Sequence, residues 1–404
     1  MSGVPLAIRC GTLHAEPGEA PLRNVTLLVR DGLVADCGPD VAIPAEARRL
    51  EAASVVPGLI NAHAHLELSG EAQTTSVMLL LTATQRALTC AANARRSLHG
   101  GVTTIRDLGA SETLAIDVRD AIAAGTLEGP TVLAAGKVVC MTGGHGWWIG
   151  READGGADVR KAVREQRKAG ADCIKFIATG GVLTKGAVPA IAQLDEDELR
   201  AGVTEAHAHG LRCAAHAIGA DGVKNALRAG VDSIEHGMLL DDEAIALFVE
   251  RGTYLVPTLA AVTCIVEFGT DAGIPQWAVG KARDIANRMT HNLTRARAAG
   301  VRFAGGSDAG TPFNLHERYW YEVELLQSVL GMTPREALRT ATVASADLLG
   351  VARGRLSPGA PADALLLRHD IDEDPRALRE PIAVVKDGAL VSRGEPVTPP
   401  AARP

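Results

Sequence analysis

The chain has 404 residues, 47% of them hydrophobic and 22% charged, a globular composition that supports a sizeable core. Its net charge of −7 leaves no basic footprint, which argues against nucleic acid as a partner. No uncharged apolar run approaches the roughly 18 residues needed to span a bilayer, so a membrane is not expected either.

Aromatic residues make up only 3% of the chain, so small aliphatic side chains must fill most of its interior. The 7 cysteines are scattered, odd in number and form no CxxC pair. They read as reduced thiols of a cytoplasmic protein. The first residues carry neither a basic nor an apolar leader segment, so no secretory signal is expected.

Residues 6–56 read as short strands. Val25-Thr26-Leu27-Leu28-Val29-Arg30 runs into Asp31-Gly32, and Leu33-Val34-Ala35 follows. An Asp-Gly pair between apolar runs is a strong hairpin signal, because the turn needs positive φ. The same pattern returns near the other end as Val384-Val385-Lys386-Asp387-Gly388-Ala389-Leu390-Val391. The two hairpins predict one small β-sandwich module built from both termini, residues 1–56 with 350–404. Residues 399–404 read as a frayed tail.

Between them, the apolar run from Val55 is interrupted by Pro57 and Gly58, so 59–65 is the expected first strand of a second domain. It ends in His63-Ala64-His65. If the strand continues through His65, both histidines point to the same side, with α-carbons roughly 6.6 Å apart. Two imidazoles so placed can converge on one divalent ion, although a His-x-His among 12 histidines also arises by chance. His207-Ala208-His209 has the same spelling but closes a segment opened by an Asp195/Glu198 capping box and stopped by Gly210. On a helix, residues two apart lie about 200° apart and cannot chelate one ion.

Further strands are expected at 102–106, 131–140, 173–177, 213–216, 233–236, 254–259 and 302–307. Helices fall between them, for example at 159–169 and 242–250, and another opens at Thr333-Pro334-Arg335-Glu336. Eight strands alternating with helices imply an α/β fold, a (β/α)8 TIM-type barrel over 57–349.

In such a barrel the chemistry sits at the C-terminal ends of the strands. There the sequence places His63 and His65 on the first strand, Lys175 within the fourth, His216 and His236 ending the fifth and sixth, and Asp308 after the eighth. Lys175 lies among apolar residues, where an unpaired ammonium is costly. Two nearby divalent cations would depress its pKa, and the neutral amine can add carbon dioxide to give a carbamate able to bridge them.

The order His63-x-His65, Lys175, His216, His236, Asp308 resembles the amidohydrolase superfamily, in its binuclear branch with a carboxylated lysine. The loops Met141-Thr142-Gly143-Gly144-His145-Gly146 and Thr179-Gly180-Gly181-Val182 resemble its imidazolonepropionase-like group, which includes Xaa-Pro dipeptidases and carboxypeptidases acting on N-acylated amino acids. The resemblance implies two divalent metal ions, expected to be Zn2+. His63, His65 and Asp308 would hold one, His216 and His236 the other, and carboxylated Lys175 would bridge both. It also implies that His145 contacts substrate and that Asp308 moves the proton. Peptidase-like relatives often carry a Tyr or His two residues after the fifth-strand ligand. Ile218 stands there instead, which leaves the substrate open, and Trp147 and Trp148 read either as pocket lining or as loop packing.

The expected activity is metal-dependent hydrolysis of an amide or peptide bond in a small-molecule substrate, a dipeptide or an N-acyl amino acid, by a homo-oligomer. Hydrolysis of another amide, a lactone or a cyclic amide is the alternative, and a non-catalytic scaffold of the same fold is the rival from another class. A mononuclear deaminase is disfavoured, because Gly219 replaces the Glu such enzymes carry three residues after the fifth-strand His.

Overall fold

The computed structural model describes residues 4–391. The tail expected at 399–404 lies outside them. Two compact units are formed by the described residues of Met1–Gly58 with Arg355–Pro404, and by Leu59–Gly354.

The first unit opens with β1 (Leu6–Leu13), β2 (Leu22–Arg30), β3 (Leu33–Gly38) and β4 (Arg48–Pro57). The second contributes β5 (Leu59–Ala64), β6 (Val102–Asp107), β7 (Thr131–Ala134), β8 (Val138–Cys140), β9 (Gly150–Glu152), β10 (Cys173–Ile177), β11 (Arg212–Gly219), β12 (Ser233–Leu239), β13 (Tyr254–Val256) and β14 (Arg302–Phe303). The chain then returns to the first unit with β15 (Ala364–Leu367), β16 (Ala383–Lys386) and β17 (Ala389–Leu390).

In the first unit the strands form one mixed sheet in the order β17-β16-β15-β4-β1-β2-β3. Alternation sorts its faces. Leu6, Ile8 and Cys10 of β1 pack with Val25, Leu27 and Val29 of β2 and with Ala364, Leu366 and Val385 from the other terminus. Ala7 and Leu28, on the opposite face, are covered by Val41, Ile43 and Ala47. Both Asp-Gly pairs make two-residue turns with positive φ, 50° and 81° at Asp31-Gly32, 46° and 76° at Asp387-Gly388. The two turns meet. A Cβ added to Gly388 would lie 2.7 Å from the Gly32 Cα, so neither end of the chain completes this unit alone.

The second unit is the barrel. β14-β13-β12-β11-β10-β8-β9 and β5-β6-β7 pair in parallel, and the ring closes where Ala64 bridges Ala309 and the Ala62 N–H donates to Gly305 O at 2.9 Å. The third expected strand is split into β7 and β8 by Gly136, held at φ 69°. The eighth is only two residues long, because Gly305 and Gly306 bring the backbone against its neighbours. A Cβ on Gly306 would lie 2.8 Å from the His63 Cβ, and one on Gly305 2.3 Å from the Tyr319 hydroxyl.

Small residues fill the barrel, as the scarcity of aromatics required. Leu108, Ala135, Cys173 and Ala214 form one cluster, and Ile60, Ala62, Val256, Ala304 and Ala346 belong to another. Buried beside them is an ion pair. Arg106 donates to Glu235 Oε1 at 3.0 Å and to the carbonyl of Ala62 at 2.7 Å, and both side chains are essentially inaccessible. The helices begin where the caps predict. Glu196–Ala208 opens on the Asp195/Glu198 capping box and Pro334–Arg339 on the Thr333/Glu336 box. Among the described residues no helix is long and apolar enough to cross a membrane.

Candidate metal centre

The residues expected at the strand ends converge. His63 is the penultimate residue of β5, and His65 follows that strand, its N–H held by Ala309 O at 3.0 Å. Lys175 lies inside β10, His216 in β11 and His236 in β12. Asp308 arrives from beyond β14 and donates its N–H to His63 O at 2.8 Å. The imidazoles form a chain of neighbours. Ring centroids are 5.4 Å apart for His65 and His63, 5.2 Å for His63 and His236, 4.6 Å for His236 and His216, and 4.5 Å for His216 and His145. His207 and His209 take no part, meeting Asp232 at 2.9 Å and Glu205 at 3.1 Å on the surface.

Each ring of the cluster has one nitrogen facing an oxygen from outside, and in three of them the two are hydrogen-bonded. His65 Nδ1 faces Gly109 O at 2.9 Å and His216 Nε2 faces Gly180 O at 3.0 Å. A carbonyl only accepts, so those nitrogens carry the protons and the opposite ones, His65 Nε2 and His216 Nδ1, hold lone pairs in the neutral rings. His236 Nδ1 meets Thr258 Oγ1 at 2.6 Å. Glu235 Oε2 approaches His63 Nδ1 to 2.9 Å, although the pair is not aligned as a hydrogen bond. Such outer contacts fix the tautomer and orientation of metal-binding imidazoles.

The inward groups fit a metal. Asp308 Oδ1 lies 3.4 Å from His63 Nε2 and 3.3 Å from His65 Nε2, longer than the roughly 2.7–3.2 Å of a normal N–H···O bond. These three ligand atoms lie within 4.8 Å of one another. Asp308 Oδ1 and Lys175 Nζ are both buried without a hydrogen-bond partner, which is costly unless a further group completes the cluster.

Electrostatics favour the neutral ring at His63, His216 and His236. Burial pushes His63, His216 and His236 well below the ordinary imidazole pKa, with Lys175 adding to the effect. Burial also draws Lys175 down to about 8, against the opposing pull of Glu235 and Asp308. In His65, burial is outweighed by Asp308, and the pKa is raised. In Asp308, burial is outweighed by His63, His65 and Lys175, and the carboxyl is lowered.

The backbone is strained where the cluster is tightest. His236, Thr258 and Asp308 sit at φ 73°, 49° and 59°, left-handed conformations costing about 1–3 kcal/mol each in non-glycine residues. Glu322 holds one of these turns. It is fully buried and accepts from the N–H groups of Leu259 and Ala260 at 2.9 and 2.7 Å, immediately after Thr258.

His145 stands at the edge of the cluster. Its Nδ1 lies 2.8 Å from Thr184 Oγ1, and a Cβ on Gly181 would lie only 2.3 Å from its Nε2, so the ring rests against bare backbone. Burial draws its pKa down to about 3, which leaves it neutral. Above the cluster opens a pocket of about 710 Å³, counting its mouth, whose walls include Ile177, Ile218 and Met238. Trp148 lines it, whereas Trp147 is 48% exposed.

The sequence reading did not single out Glu235, Thr258, Thr184 or Glu322. For Glu235 a signal existed, a charged residue in the apolar run before His236. The threonines carried none.

A profile of the Amidohydrolase family matches residues 54–391. The ochratoxinase of Aspergillus niger is 30% identical over 433 residues, covering 97% of this chain and 87% of that protein. An imidazolonepropionase of Salinispora tropica is 26% identical, covering 87% and 88%. Among solved structures, a Xaa-Pro dipeptidase with methionine bound in its active site superposes with a TM-score of 0.87 at 30% identity, over 96% of this chain and 100% of that one. A profile that spans the barrel and runs on into β17, with relatives aligned along almost the whole length, shows that the chain belongs to the Amidohydrolase family and is a hydrolase.

Proposed function

We propose that this chain hydrolyses an amide or peptide bond of a small substrate, a dipeptide or an N-acyl amino acid, with two divalent ions, zinc in the first instance. His63, His65 and Asp308 would hold one ion and His216 and His236 the other. Lys175 would bridge them as a carbamate, formed when its neutral amine adds carbon dioxide and loses a proton. The observation that carries this reading is the convergence of four imidazoles, three hydrogen-bonded to outer oxygens and His63 facing Glu235 at 2.9 Å, with the unpartnered Asp308 Oδ1 and Lys175 Nζ.

When bound, the ions supply Lewis-acid polarisation of the scissile carbonyl and acidification of the attacking water. The remaining work belongs to the chain. Asp308 accepts a proton from the water as its oxygen joins the carbonyl carbon. It then delivers that proton to the amine nitrogen as the carbon–nitrogen bond breaks. Neutral His145 offers one hydrogen bond to the substrate beside the cluster. The apolar walls displace bulk water and so strengthen each of these interactions.

Elemental analysis of protein purified without chelator tests the reading, together with a panel of dipeptides and N-acyl amino acids. The expected result is two equivalents of metal per chain, with hydrolysis abolished by a chelator and restored by zinc. Lys175→Ala should lose activity and recover part of it with a short carboxylic acid. One equivalent with full activity refutes the binuclear centre.

A further inference from the structure

Three of the strands that build the cluster, β10, β11 and β12, run on past Lys175, His216 and His236, and what they carry next is apolar. Ile177 follows Lys175 by two residues, Ile218 follows His216 by two, and Met238 follows His236 by two. All three line the pocket above the cluster. Val182 and Leu183, from the loop after β10, extend the same wall. Among the described residues lining this pocket, the charged side chains are Lys175 and Asp308, both within the cluster itself. Lys281 directs its ammonium to Gly181 O at 3.1 Å and Thr184 O at 2.7 Å, so it steadies the loop rather than facing the pocket.

The collar borders the cluster, so it is within reach of the atoms that adjoin a scissile carbonyl on its acyl side. In a free dipeptide those atoms carry an α-ammonium. That ammonium would lie beside hydrocarbon, and the one carboxylate within reach, Asp308, already faces His63 and His65. An unpaired buried charge is expensive, whereas a methylene or aryl group in its place gains from burial. Resting on the amide-hydrolase reading above, we propose that the collar of Ile177, Ile218 and Met238 selects amides whose acyl side is uncharged and apolar and excludes free dipeptides.

A matched pair of substrates tests this on the zinc-loaded enzyme. 3-Phenylpropanoyl-L-phenylalanine and L-phenylalanyl-L-phenylalanine share the scissile bond and the leaving amine and differ only in the α-amino group. The first should have a kcat/KM higher by about 100-fold or more at pH 7. The ratio should narrow as pH rises through the α-amino pKa near 8, where the dipeptide loses its charge. Ile218→Asp, or Met238→Glu should that variant not fold, places a carboxylate in the collar and should shift the ratio toward the dipeptide with two metals retained. A wild type that cleaves both equally or prefers the dipeptide overturns the collar. So does a ratio indifferent to pH, or a folded variant with an unmoved ratio. Failure to cleave either substrate with two metals bound overturns the amide-hydrolase reading instead.

Discussion

Thr258 offers the sharpest test of how the cluster is held. It is fully buried, sits at φ 49°, and places Oγ1 2.6 Å from His236 Nδ1. With Nδ1–H donating to that hydroxyl, the ring presents Nε2 to the cluster. Thr258→Val keeps the β-branched shape and therefore the same backbone strain, and Glu322 still anchors the N–H groups of Leu259 and Ala260. Only the acceptor is lost. His236 is then left with a buried unsatisfied donor, a penalty of about 1–3 kcal/mol, or with a turned ring. Loss of an outer partner of this kind costs about 10- to 100-fold in metal affinity, or about 1.4–2.7 kcal/mol.

The assay is competition between the protein and a chromogenic zinc chelator, which resolves two equivalents separately. One equivalent should weaken by that factor, while the one assigned to His63, His65 and Asp308 shifts less. Circular dichroism confirms that the variant is folded. A folded Thr258→Val protein that binds both equivalents as tightly as wild type refutes the role of the outer hydrogen bond.

Gly181→Ala puts a methyl 2.3 Å from His145 Nε2 and must displace the ring. It should lower kcat/KM by about 100-fold with both metals retained, and add little to His145→Ala in the double variant. A Gly181→Ala enzyme as active as wild type would show that the ring position is immaterial. Arg106→Met strands Glu235 in the barrel and should destabilise the protein by about 3–5 kcal/mol in urea unfolding. An unchanged midpoint would mean that the buried pair contributes nothing. In the first unit, Asp370 is buried, which alone would raise its carboxyl, but hydrogen bonds with Thr12 and His14 prevail and draw it to about 2 from 3.8. A depressed acid contributes stability that is complete above its unfolded pKa and vanishes as pH falls through the folded one. Asp370→Asn should therefore destabilise most above pH 4, with the gap to wild type closing toward pH 2. A gap that widens on acidification refutes the assignment.

The barrel and its cluster were legible because polar residues interrupt apolar runs at the strand ends. His63 and His65 follow from strand spacing, and Lys175 from its apolar neighbours. The two Asp-Gly pairs foretold one module from both termini because their turn chemistry is local. Strand lengths were less accessible. Nothing in the composition of 302–307 says that Gly305 and Gly306 yield their backbone to His63 and Tyr319, and β14 ends after two residues for that reason.

The outer shell escaped the sequence for a different reason. Strand alternation sends adjacent residues to opposite faces, so His236 in the cluster should turn Glu235 away from it. In the structure His236 adopts φ 73°, the alternation breaks, and Glu235 reaches both Arg106 and His63. Thr258 is an ordinary threonine until φ 49° aims its hydroxyl at His236, and that turn is held by Glu322, 64 positions further along the chain. The membership of the cluster is written in residue type, which a single sequence displays. The orientation of His236 and Asp308 is written in left-handed backbone, and the turn at Thr258 that meets His236 is anchored by a partner distant in sequence, which the sequence alone does not display.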